Sequence, residues 1–164
     1  MSDEDLIAAR VTKLAALLEA RHLKLCSAES CTGGWLAKCL TDRPGSSAWF
    51  EFGFVTYGDN AKCKLLGVRE ATLAEHGAVS QQVAQQMASG ARRVSGADLA
   101  VALTGIAGPA GGTADKPVGT VWLAWAGPEG LLGAELRTFP GDRAAIRSQA
   151  VAAALDGTIA RLHH

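Results

Sequence analysis

Residues 23–41 read LKLCSAESCTGGWLAKCLT, and the way this stretch folds decides the architecture. LKLCSA is a short apolar run suited to a buried strand, and GGWLAKCLT is a helical stretch stopped by the breakers of DRPGSS. Between them, ESCTGG has the composition of a tight turn. A strand that turns directly into a helix is the repeating unit of α/β proteins, so the rest of the chain is expected to supply further strands with helices between them.

Upstream, Ser2 followed by Asp3, Glu4 and Asp5 has the form of a helix N-cap with acids in the first turn. Leu6, Ile7, Val11, Leu14, Leu17 and Leu18 then share one face of a helix ending near Arg21. Downstream, AWFEFGFVTY (48–57) reads as a strand in which Gly53 marks a bulge or a close backbone approach. DNAKCKLLGV reads as a short helix capped by Asp59 or Asn60 and closed by Gly67, and REATLAEHGAVS holds another. Ser80 caps a longer helix with Val83, Met87, Ala91 and Val94 in register. ADLAVALTG (97–105) is a second buried strand. TVWLAWA and an alternating GAELRTF form a hairpin through GPEGLL, and RAAIRSQAVAAALDGTIARL is a long helix with Ile146, Ala150, Val151, Ala154, Leu155 and Ile159 inward. The expected fold is a three-layer α/β/α sandwich with a mixed β-sheet, and 164 residues suit one domain.

Sixteen basic and sixteen acidic side chains cancel, so no global field favours nucleic acid or an anionic membrane, and an anion site must be local. The acidic N-terminus lacks the pattern of a secretory signal and no run approaches the roughly 18 apolar residues of a membrane span, which points to the cytoplasm. Cys26, Cys31, Cys39 and Cys63 lack CxxC spacing and are expected to be free thiols, with Cys26, Cys39 and Cys63 as small core residues. The scattered histidines suggest no metal site.

Ser30, Cys31 and Thr32 fall where a strand meets a helix N-terminus, which places a hydroxyl, a thiol and unpaired N–H groups together; Gly33 and Gly34 would let a ligand approach the backbone. The plainer reading is that Ser30 or Thr32 caps the helix. Cys31 rivals Ser30 as nucleophile, because a helix N-terminus lowers a thiol pKa. No histidine lies in a site-like stretch, so Lys62, at the start of a short helix, is the remaining base; solvated surface charge is its ordinary role. TGIAGPAGG (104–112) follows a buried strand and opens a fifteen-residue loop with five glycines, matching neither a Rossmann nor a P-loop pattern. Arg143 and Arg147, four apart, form either a phosphate clamp or an exposed helix face.

AESCTGG, GSSAWFEFGFVTYGDNAKCKLLGV, HGAVS, TGIAGPAGG, KPVGTVW and FPGDRAAIRSQA, in that order, resemble the CinA C-terminal domain family, and within it the stand-alone nicotinamide mononucleotide deamidases. The resemblance covers nearly the whole chain. It implies a cytoplasmic amidohydrolase that converts nicotinamide mononucleotide and water to nicotinate mononucleotide and ammonia, without metal or organic cofactor. The family's Ser/Lys dyad falls on Ser30 and Lys62, and its active-site positions on Tyr57, Thr104 and an arginine of GDRAAIR, either Arg143 or Arg147. Around them, Glu29, Cys31, Thr32, Gly33, Gly34, Gly105 and Gly108 are expected to border substrate; Glu29 either orients Lys62, holds a ribose hydroxyl or makes a structural hydrogen bond. Asp59 departs from the family pattern, where serine is common, and a carboxylate there favours a protonated lysine. The rival reading is a silent nucleotide-binding or competence-associated accessory module. The aromatic stretch from Trp49 to Phe54, with Trp122 and Trp125, offers apolar area for a homodimer or other homo-oligomer.

Overall fold

A computed structural model describes residues 1–163. In chain order it contains α1 (Asp3–Arg21), β1 (Leu25–Glu29), α2 (Trp35–Thr41), β2 (Phe50–Val55), α3 (Asp59–Leu66), α4 (Glu70–His76), α5 (Gln81–Ser95), β3 (Leu99–Gly105), β4 (Thr120–Gly127), β5 (Gly130–Thr138) and α6 (Arg143–Leu162). The sheet order is β2-β1-β3-β4-β5. β1 is parallel to both β2 and β3, while β3, β4 and β5 are successively antiparallel, so the sheet is mixed.

Alternation along the central strands builds the two helical layers. Leu25, Val101, Leu103, Val121, Leu123 and Trp125 join residues of α1, α2 and α6 in one buried cluster. Their neighbours Cys26, Ala28, Ala100, Ala102, Ala124 and Ala126 join Val83, Ala84, Met87, Ala88 and Ala91 of α5 in the other. Small side chains on this second face let α5 lie close to the sheet, whereas the larger ones on the first face are needed to reach two long helices. The same alternation puts Glu29 on the face covered by α2, as Leu25 and Ser27 are.

Several expectations hold in detail. Ser2 Oγ accepts from Asp5 N while the Asp5 carboxylate accepts from Ser2 N, a reciprocal cap. The β2 register slips opposite Leu25 and Ser27, and a Cβ at Gly53 would stand 3.1–3.3 Å from Phe50, Ala37 and Ser27, so both a bulge and a close approach occur there. All six apolar positions singled out on α6 are buried.

Others are corrected. The N-cap of α3 is Gly58, without a side-chain bond, and not Asp59 or Asn60. Val94 on α5 is exposed. The β4–β5 turn is tighter than GPEGLL: Leu131 and Leu132 already belong to β5. β5 does not alternate cleanly in burial, since it is a sheet edge. Trp49 and Trp125 are core residues, leaving Phe52, Val55 and Tyr57 as the exposed apolar groups on and beyond β2. No described helix is long and apolar enough to cross a membrane.

Candidate active site

The carboxyl ends of the three mutually parallel strands converge, the usual place for a ligand on such a sheet. Ser30 follows β1 directly and is pinned by its N–H, which donates to Leu103 O of β3 at 3.0 Å. From the end of β2, residues 56–58 lead into α3 and wrap around the amine of Lys62. Lys62 Nζ donates to Thr56 O and Tyr57 O, both at 2.9 Å, and lies 3.0 Å from Ser30 Oγ. The side chain is 1% exposed.

This geometry states what the amine can do. A neutral amine has two N–H groups, which the two carbonyls take, and one lone pair, which is then left facing the Ser30 hydroxyl. No ion pair among the described residues involves Lys62. Burial therefore holds its pKa below the ordinary lysine value, with the charge of Asp59 opposing in part. The effect expected of Asp59 is present, but desolvation outweighs it.

Ser30 and Lys62 lie in a cavity of about 190 Å³ that Cys31, Tyr57, Thr104, Gly105 and Arg143 also line. Thr104 Oγ1 donates to Ala78 O at 2.9 Å, tying β3 to the segment before α5. Tyr57, 58% exposed, stands at the rim, where its hydroxyl accepts from Arg143 Nη2 at 3.0 Å; Arg143 Nη1 donates to Gly108 O of the glycine loop at 2.7 Å. Ala78, Val79 and Ala107 complete the lining. Residue chemistry did not single these three out, although Ala78 and Val79 sit in the HGAVS stretch. A larger groove of about 410 Å³ between α1 and α2 includes no paired nucleophile and base.

Other expected site residues are placed outside the cavity. Glu29 is fully buried, and its carboxylate accepts from Thr32 Oγ1 (2.7 Å), Leu36 N (2.8 Å) and Ala37 N (3.0 Å). It caps α2 from the preceding strand and touches neither Lys62 nor the cavity. Neither Ser30 nor Thr32 caps that helix, whose N-cap is Gly34. Gly33 and Gly34 have φ of +57° and +101°, the left-handed turn that glycine adopts readily, and added Cβ atoms would meet Arg147 and Val55 instead of a ligand. Gly108 likewise contributes only its carbonyl, to Arg143.

Arg143 and Arg147 are separated by the fold. One turn of α6 carries the site from the cavity rim to the back of the 30–34 turn, where Arg147 donates to Cys31 O and Thr32 O, each at 3.1 Å. Within that turn, Gly33 N and Trp35 N donate to Ser30 O and Thr32 O, whereas the N–H groups of Cys31 and Thr32 find no acceptor on another described residue. Burial pushes the Cys31 thiol up to about 11, so it is protonated at neutral pH and ill suited as a nucleophile. All four cysteines are free thiols. No group of three or more potential metal ligands occurs among the described residues.

The CinA C-terminal domain model matches residues 8–162. The chain belongs to the CinA C-terminal domain family. Among CinA relatives, the nicotinamide-nucleotide amidohydrolase PncC of Escherichia coli K12 is 56% identical over 138 residues, 84% of each chain. The protein of that name from Pseudomonas putida is 50% identical over 155 residues, 94% of this chain and 96% of its own. Crystal structures agree in fold. A CinA superfamily protein from Klebsiella pneumoniae superposes with a TM-score of 0.92 at 40% identity, over 100% of this chain and 99% of that one. The competence/damage inducible protein CihA of Agrobacterium tumefaciens gives 0.90 at 45% identity, over 100% and 98%.

Proposed function

We propose that this protein is a nicotinamide-nucleotide amidohydrolase that deamidates nicotinamide mononucleotide with Ser30 as nucleophile and Lys62 as general base. The observation that carries the mechanism is the buried lysine without a carboxylate partner, 3.0 Å from the serine hydroxyl at the base of a cavity. The names of the close relatives supply the substrate.

Ser30 Oγ attacks the carboxamide carbon while its proton passes to Lys62 Nζ. The two N–H groups left without acceptors in the turn, those of Cys31 and Thr32, receive the oxyanion. Collapse breaks the C–N bond, and Lys62 returns the proton to the departing nitrogen, which leaves as ammonia. Water then adds to the acyl enzyme, giving a proton to Lys62; the ester C–O bond breaks, Ser30 is reprotonated and nicotinate mononucleotide is released. A cavity of about 190 Å³ is smaller than the roughly 300–1,000 Å³ of pockets that swallow whole drug-sized ligands. Only the carboxamide and its ring need to enter, and the ribose phosphate extends past Tyr57 toward the exposed guanidinium of Arg143.

A non-catalytic binding module has no use for a lysine held in this way, without a carboxylate partner and with burial disfavouring its charged form beside a serine hydroxyl. Ammonia release from nicotinamide mononucleotide tests the reading. Wild type should release it, and folded Ser30→Ala and Lys62→Ala should not; release by folded Ser30→Ala would refute the assigned nucleophile. The proposal extends to a cytoplasmic homo-oligomer, checked by light scattering of the purified protein.

A further inference from the structure

Arg147 lies outside the cavity, yet it is tied to the turn that carries the reacting serine. Its Nε reaches Cys31 O and its Nη2 reaches Thr32 O, while the guanidinium carbon lies 5.5 Å from the centroid of the Trp35 ring. A planar fork with one face on an indole has little freedom left, so two consecutive carbonyls are held in fixed directions. Nη2 also lies against Gly33, where a Cβ would come into ordinary contact with it at 3.4 Å.

In a trans peptide the N–H points opposite to the C=O of the same unit. Holding Cys31 O therefore aims Thr32 N–H away from Arg147. The unit before it is fixed by the bond from Gly33 N to Ser30 O, which sets the direction of Cys31 N–H. Arg147 comes from α6 in one helical layer, and Lys62 from α3 in the other. The turn is thus gripped from one side by Arg147, and its Cys31 borders the cavity in which Lys62 and Ser30 face each other. Two N–H groups without a protein acceptor, in succession after the nucleophile, are available to an oxyanion that forms on it.

We propose that Arg147 is a positioning residue, which clamps the Ser30–Gly33 turn so that Cys31 N–H and Thr32 N–H are aimed at the tetrahedral oxyanion. This rests on the amidohydrolase reading and adds to it a residue that touches neither substrate nor dyad. It also assigns separate duties to the two arginines of α6: Arg143 faces the substrate, and Arg147 faces the backbone that stabilises its transition state.

The test is steady-state deamidation of nicotinamide mononucleotide by wild type, Arg147→Ala and Arg147→Lys, with folded fraction measured by circular dichroism and rates expressed per folded molecule. Loss of a single oxyanion donor costs about 10²–10³ in kcat. Misaiming donors that remain present should cost about 10–10² for Arg147→Ala, with KM within about threefold of wild type. Arg147→Lys should recover little, because one ammonium cannot span two carbonyls, and guanidinium ion at non-denaturing concentration should partly rescue Arg147→Ala. Wild-type activity together with a kcat within threefold for Arg147→Ala, or full recovery by lysine, overturns the clamp and leaves the amidohydrolase intact. An inactive wild type would overturn both.

Discussion

Replacing Glu29 by glutamine separates a residue that serves the fold from one that serves the reaction. The carboxylate accepts three bonds from Thr32 Oγ1, Leu36 N and Ala37 N, in a site with no exposure to solvent. Glutamine has nearly the same shape but only one acceptor oxygen, so its NH2 group must confront a donor. One buried N–H or O–H then loses its acceptor, at about 1–3 kcal/mol, and the remaining bonds lose their charge assistance. Together these effects cost about 2–4 kcal/mol, which for a chain of this size lowers Tm by about 5–10 °C. Urea unfolding followed by circular dichroism measures the first figure, and a thermal melt the second. Below the new Tm, Glu29→Gln should keep KM for nicotinamide mononucleotide within about threefold, since the carboxylate is outside the cavity. Unchanged stability with a large rise in KM would refute the reasoning and return Glu29 to the substrate.

Three further outcomes follow from the same geometry. Cys31→Ser should retain activity and wild type should react only slowly with iodoacetamide at neutral pH, because the thiol is held up at about 11; abolished turnover in folded Cys31→Ser would instead make sulfur the nucleophile. Activity should rise with pH as Lys62 loses its proton, and Asp59→Asn, by removing the charge that holds that proton, should move the acid limb of kcat/KM to lower pH; a shift to higher pH contradicts the assignment of Lys62 as base. Arg143→Ala should raise KM for the nucleotide by about 10–10², the worth of a charge-assisted bond to phosphate, while leaving turnover of nicotinamide riboside little changed; equal losses on both substrates would remove the phosphate from Arg143.

Much of this was legible in the order of residues. Strand and helix periods in LKLCSA and RAAIRSQAVAAALDGTIARL are local properties, and each found its element. The bulge at Gly53 was readable because a glycine inside an aromatic strand has few other uses. Lys62 was harder: nothing in NAKCK distinguishes a solvated lysine from a buried one, and the base was singled out by the absence of a suitable histidine and by family resemblance. Ala78 and Val79 escaped chemical reasoning because alanine and valine carry no reactive group. Their contribution is shape, which is visible only once β3 brings Thr104 against Ala78 O.

By itself the sequence determined the elements, the mixed sandwich and the short turn that presents Ser30, because these depend on patterns within a few tens of residues. Tertiary structure alone decided that Glu29 caps α2, that Lys62 is buried against two carbonyls and a serine, and that Arg143 and Arg147 face different partners. The physical reason is distance. One turn of α6 advances about 5.4 Å, enough to carry a guanidinium from the mouth of the cavity to the far side of the turn that forms its wall. Spacing in the chain says only that the two arginines share a helix face, whereas what each one meets is set by residues at least 35 positions away.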